Sequence, residues 1–67
     1  MILRVNGEDR EVAAGITVDG LLDVLGLPDP AGVAVAVNLD VVPRAERQAR
    51  ILDEGDRIDV VTAVGGG

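Results

Sequence analysis

Ile16-Thr17-Val18-Asp19-Gly20-Leu21-Leu22-Asp23-Val24-Leu25-Gly26-Leu27 is the stretch on which the fold turns, because it reads as one short helix with its own start and stop. Thr17 offers a side-chain oxygen to the free amides of a first turn, and Ile16 ahead of it can staple onto Leu21. Asp19 sets negative charge beside the positive end of the helix dipole. Val18, Leu21, Leu22 and Leu25 recur at helical spacing and form one apolar stripe. Gly26 suits the left-handed residue that ends a helix, and Pro28 and Pro30 forbid its continuation. Gly20 costs roughly 1 kcal/mol relative to Ala. Its missing side chain is expected to let a sheet approach closely.

On the N-terminal side, Ile2 to Val5 is an apolar-rich run that ends at Asn6-Gly7. Both residues tolerate positive φ, which makes the pair a strong hairpin signal. Glu8 to Ala13 then returns antiparallel, with Val12 toward the core, and Gly15 ends it. On the C-terminal side, Val33 to Val37 is uninterrupted and apolar, the pattern of a strand buried on both faces. Asn38-Leu39-Asp40 is a turn, and Val41-Val42 continues as far as Pro43, which donates nothing to a ladder and belongs at an edge. Arg44 to Arg50 is polar and suits a short helical turn. Val42 and Leu52 are expected in the core. Glu54-Gly55-Asp56 is a turn, and Arg57 to Val64 is a last strand. Ile58, Val60 and Thr62 share one of its faces, and Asp59, Val61 and Ala63 the other.

Two strands, a helix and two further strands, one with a short companion, make an α+β chain. The order matches a ββαββ β-grasp (ubiquitin-like) arrangement, a mixed sheet packed on one helix. A helical crossover separates the two halves, so the last strand is expected to lie parallel beside the first. The domain is read as residues 1–64, followed by a flexible glycine tail at 65–67.

Composition narrows what such a domain does. Its 67 residues include no Phe, Trp or Tyr, so the core is Val, Leu, Ile and Ala. At this size only about 60% of the unfolded surface is buried, and no cysteine or histidine supplies a disulfide or a zinc site. Ser, Lys and Tyr are absent too, which removes nearly every side-chain nucleophile and the usual general base. An independent enzyme is therefore not expected. Net charge is −6, from twelve acidic groups against six Arg. That balance repels nucleic acid and anionic membranes and suits an electropositive protein partner. No apolar run nears the ~20 residues of a membrane span, and no signal peptide is visible. The chain is expected in the cytoplasm, as a monomer when free.

What remains as a chemical handle is the terminus, Gly65-Gly66-Gly67. Terminal glycines are often only frayed ends. Here they follow a strand, so the carboxylate projects from a firm mount. Three residues reach roughly 10 Å when extended, and without side chains they enter channels where a Cβ would clash. The carboxyl, with a reference pKa of ~3.3–3.7, is ionised and inert until a partner activates it. Adenylation by ATP would open it to a sulfur nucleophile and give a thiocarboxylate.

The sequence resembles the ThiS family, the sulfur carriers of thiamine thiazole biosynthesis. The likeness runs through Val5-Asn6-Gly7-Glu8, Thr17-Val18, Leu21-Leu22 and Leu25-Gly26-Leu27, then Val33-Ala34-Val35-Ala36-Val37-Asn38 and Val41-Val42-Pro43-Arg44. It continues through Leu52, Glu54-Gly55-Asp56 and Val60-Val61-Thr62-Ala63-Val64 into the glycines. The resemblance implies that Gly66-Gly67 is the functional diglycine, with Gly65 and Gly66 threading and Gly67 charged. It implies an E1-like (ThiF-like) adenylyltransferase using ATP and Mg²⁺, a sulfur donor protein, and a thiazole synthase (ThiG-like) as acceptor. The carrier itself would bind no cofactor. Family members commonly have an aromatic residue where this chain has Arg47, so the packing of Arg44 to Arg50 is open.

Two other readings share the diglycine chemistry: a carrier of another pathway, such as the small subunit of molybdopterin synthase, and a ubiquitin-like protein modifier. A plain interaction module with an inert tail is a third. Arg44 reads either as a partner contact or as a solvated arginine. Asp53, Glu54, Asp56 and Asp59 read either as a docking cluster or as a solvated turn.

Overall fold

The computed structural model describes residues 1–27 and 32–62. Strands β1 (Ile2–Val5) and β2 (Glu8–Glu11) precede helix α1 (Val18–Val24). Strands β3 (Val33–Val37) and β4 (Asp40–Val41), a 3-10 turn at Arg44–Glu46 and strand β5 (Arg57–Thr62) follow it. One five-stranded sheet results, in the order β2-β1-β5-β3-β4. β5 lies parallel to β1 and antiparallel to β3, which is the expected β-grasp topology.

Local chemistry accounts for most of the turns. Asn6 and Gly7 take φ of 51° and 82° between β1 and β2, a pair of positive values that suits the twist of a tight hairpin. Asn38 and Leu39, at 50° and 73°, do the same between β3 and β4. In α1 the Thr17 hydroxyl accepts from the Gly20 amide at 3.1 Å. At the other end the Gly26 amide donates to Asp23 O at 3.0 Å and the Leu27 amide to Leu22 O at 3.5 Å. Those two bonds, with Gly26 at φ 70°, form a Schellman stop.

The core lies between α1 and one face of the sheet. Val18, Leu21 and Leu22 of α1 meet Leu3, Val5, Val33, Val35, Val37 and Ile58 of the strands, and Val12, Val42 and Leu52 close the margins. Val42 and Leu52 are thus core residues, as expected. Full burial of each such side chain stabilises by about 1.5–3 kcal/mol, and these aliphatic groups carry the fold.

Three expectations need correction. Val33 to Val37 is not buried on both faces: Val33, Val35 and Val37 are buried, while Ala34 is exposed and Ala36 half-buried. The sole α-helix among the described residues covers one side only, so the small alanines face outward. Gly20 does not make room for the sheet either. A Cβ there would sit 3.0 Å from Ile16 Cγ1 and 3.4 Å from Thr17 Oγ1, so the space serves the residues leading into the helix. Finally, β2 stops at Glu11 rather than Ala13, although Val12 still exchanges hydrogen bonds with Met1 at 2.9 and 2.8 Å.

The segment after Pro43 settles as the 3-10 turn followed by a further turn, and Arg47 is 5% exposed. Its Nη2 donates to the main-chain carbonyl of Val33, and its own carbonyl accepts from the Asp19 amide at 3.1 Å. Arg47 therefore ties the connection to both β3 and the start of α1.

Candidate functional site at the end of the central strand

β5 is the strand that runs toward the glycines, and it occupies the middle of the sheet. Its pairing with β3 extends over five positions, from Val37 opposite Ile58 to Val33 opposite Thr62. With β1 the pairing is shorter, Arg4 with Arg57 and Val5 with Ile58. Beyond Val5 the first hairpin turns away. The strand thus reaches Thr62 backed by a full ladder on one side and a short one on the other. Residues 63–67, including Gly65, Gly66 and Gly67 and the boundary at residue 64, lie outside the described residues.

On the short side, the Asn6 side chain continues what the backbone leaves off. The Asn6 amide donates to Ile58 O at 2.9 Å, as a ladder residue would. Its side-chain Oδ1 then accepts from the Val60 amide at 2.8 Å, and Nδ2 donates to Val60 O at 3.2 Å. Beside this contact lies a groove of about 310 Å³ between the first hairpin and the end of α1. Val5, Leu25, Leu27 and Val60 give it apolar walls, Glu8, Asp9 and Arg10 a charged rim, and Asn6 and Thr62 line it too.

The acidic cluster near β5 is largely engaged within the fold. Asp56 accepts from Asn38 Nδ2 at 3.0 Å and from the Asp53 amide at 2.8 Å, and Glu54 accepts from the Ile2 amide. Asp59 pairs with Arg57 at 3.2 Å. Arg44 is exposed in the 3-10 turn. Among the described residues no group of three or more His, Cys, Asp or Glu is arranged to hold a metal ion. No helix among them is long and apolar enough to cross a membrane.

Among the described residues no cluster of side chains is arranged to hold a metal, and the sequence supplies no Cys, His, Ser, Lys or Tyr. A family model spans residues 3–67, almost the whole chain and the glycines with it, and it is that of the ThiS family. The chain belongs to the ThiS family. ThiS members are the sulfur carriers of thiamine biosynthesis, carriers rather than catalysts. The sulfur carrier protein ThiS of Escherichia coli is 36% identical over all 67 residues and the full length of both chains. The crystal structure of the thiamine biosynthesis protein ThiS from Geobacter metallireducens matches the fold with a TM-score of 0.86, at 32% identity and with both chains fully covered. A thiazole synthase from Paramagnetospirillum magneticum is 40% identical over the same 67 residues. The chain spans only 20% of that protein's length.

Two residues of this ThiS chain were not legible as structural parts of the site. Asn6 read as a turn residue only, and nothing local reveals a partner 54 positions away. Arg47 was singled out only as a departure that left the packing of Arg44 to Arg50 open, and its bond to Val33 was not foreseen.

Proposed function

We propose that this chain carries sulfur for thiamine thiazole formation as a thiocarboxylate on the terminal carboxyl of Gly67. The observation that supports this most is the combination of a family match through residue 67 with a central strand, β5, running directly toward the glycines. An E1-like adenylyltransferase would bind ATP with Mg²⁺. A Gly67 carboxylate oxygen attacks the α-phosphorus and pyrophosphate leaves. A sulfide-level nucleophile from a sulfur donor protein then adds to the acyl carbon, and AMP departs with that oxygen. The chain itself holds neither nucleotide nor metal.

Gly65 and Gly66 thread the activating enzyme's channel, because a backbone without Cβ atoms passes where any other residue would clash. The likeness to part of a thiazole synthase supports an acceptor of that kind. The carrier works as a monomer in the cytoplasm, meeting each partner in turn.

Intact mass after incubation with ATP, Mg²⁺, an E1-like adenylyltransferase and a sulfur donor tests the reading. Exchange of one Gly67 oxygen for sulfur, consumed when thiazole synthase is added, is the expected result. An unmodified terminus under conditions that charge a known ThiS would sink it. Conjugates on the lysines of other proteins would mark a modifier instead.

A further inference from the structure

We infer that Asn6 is a positioning residue for the charging of Gly67, acting through the backbone of Val60. This rests on the reading that Gly67 is the charged group. The β1–β5 ladder ends at Val5 and Ile58, two residues short of Val60. At Asn6 the backbone swings to φ 51° and leaves the strand. The side chain then occupies the place of one more strand residue, accepting from Val60 N–H and donating to Val60 C=O. A primary amide does both at once, because it carries an acceptor and a donor on one planar group.

The turn does not by itself account for this. Gly, Asp or Asn serves the first position of such a hairpin, and only Asn also supplies both halves of the contact. The contact fixes β5 two residues before Thr62, on the side where no described backbone pairs with it. On the other side β3 holds the strand as far as Thr62. With Asn6 in place β5 is gripped from both sides at Val60. A strand left loose on one side offers the chain that follows it over a wider range of directions, and orientation of a reacting group enters kcat.

The test compares the full chain with Asn6→Gly, which keeps the freedom of φ but removes the amide, and Asn6→Asp, which keeps the turn and the acceptor but loses the donor. Exchange of the Val60 amide is followed by NMR, and charging of Gly67 by intact mass under steady-state conditions with an E1-like adenylyltransferase, ATP and a sulfur donor. For Asn6→Gly, Val60 exchange rises about tenfold, the effect of one lost hydrogen bond of ordinary strength. Its kcat for charging falls about tenfold or more, while KM for the carrier stays within about twofold. Asn6→Asp falls between the two. Wild-type kcat in Asn6→Gly, or a loss confined to KM, overturns the inference. So does Asn6→Asp matching Asn6→Gly in both readouts. If the wild-type chain is not charged at all, the reading of Gly67 fails and takes this inference with it. If the wild type is charged and the variants charge equally well, only the role of Asn6 falls.

Discussion

The guanidinium of Arg47 donates to the main-chain carbonyl of Val33 from a site where the residue is only 5% exposed. A charged side chain thus takes a buried place beside the core. Its stem fills volume beside the core, and its head meets the first residue of β3. Arg47→Ala removes both and is expected to destabilise by about 2–4 kcal/mol, from a charge-assisted hydrogen bond and lost packing. Arg47→Phe restores the volume without the bond and costs less than Arg47→Ala. Urea midpoints of the three proteins check the order, and an Arg47→Phe variant weaker than Arg47→Ala would contradict it.

Leu39 sits at φ 73° in the turn between β3 and β4 and is 71% exposed. A side chain in that region costs about 1–3 kcal/mol, and here burial returns little of it. Leu39→Gly is expected to raise stability by about 1 kcal/mol. A thermal midpoint that stays level or falls would show that the leucine is held there without strain.

Leu21 is fully buried at the centre of the α1 contact. Leu21→Ala is expected to cost about 2–5 kcal/mol. A single core in a domain this small rarely supplies more than about 3–5 kcal/mol of stability. The variant should therefore be largely unfolded at 37 °C, visible as loss of dispersion in its amide NMR spectrum. A dispersed spectrum would mean that the core closes around the gap.

Under the proposed function Gly66 serves threading rather than folding. Gly66→Val should leave the thermal midpoint unchanged and reduce charging of Gly67 by about 100-fold, because a branched Cβ meets the channel wall. Intact mass over a time course measures it. Charging at the wild-type rate would remove the case for a narrow channel.

Much of the fold was legible because its signals are local. Asn6-Gly7, the Thr17 cap and the Gly26 stop each act within a few residues, and the structure shows all three. What escaped depends on partners far along the chain. Val33 to Val37 looked doubly buried because alternating Val and Ala are both apolar, and only the layer arrangement shows which face is covered. The acidic residues looked like a surface cluster, yet Asp56 links the turn at Asp53 to Asn38, 18 positions from it. For the site, the chemistry of Gly67 was read from the absence of other reactive groups and from the family pattern. The grip on β5 by Asn6 depends on side-chain direction, which no spacing rule supplies.

The parallel alignment of β1 and β5 also has a mechanical meaning. Ile2 and Thr62 lie at opposite ends of the adjoining strands, so a pull on the residues after Thr62 runs lengthwise along β5. Tension in that direction shears the hydrogen bonds on both sides together, whereas a hairpin pulled at its open end gives way one bond at a time. The folded body therefore acts as the stop at the end of a thread. If a partner engages the glycines as proposed, it would draw them taut without unravelling the strand they follow.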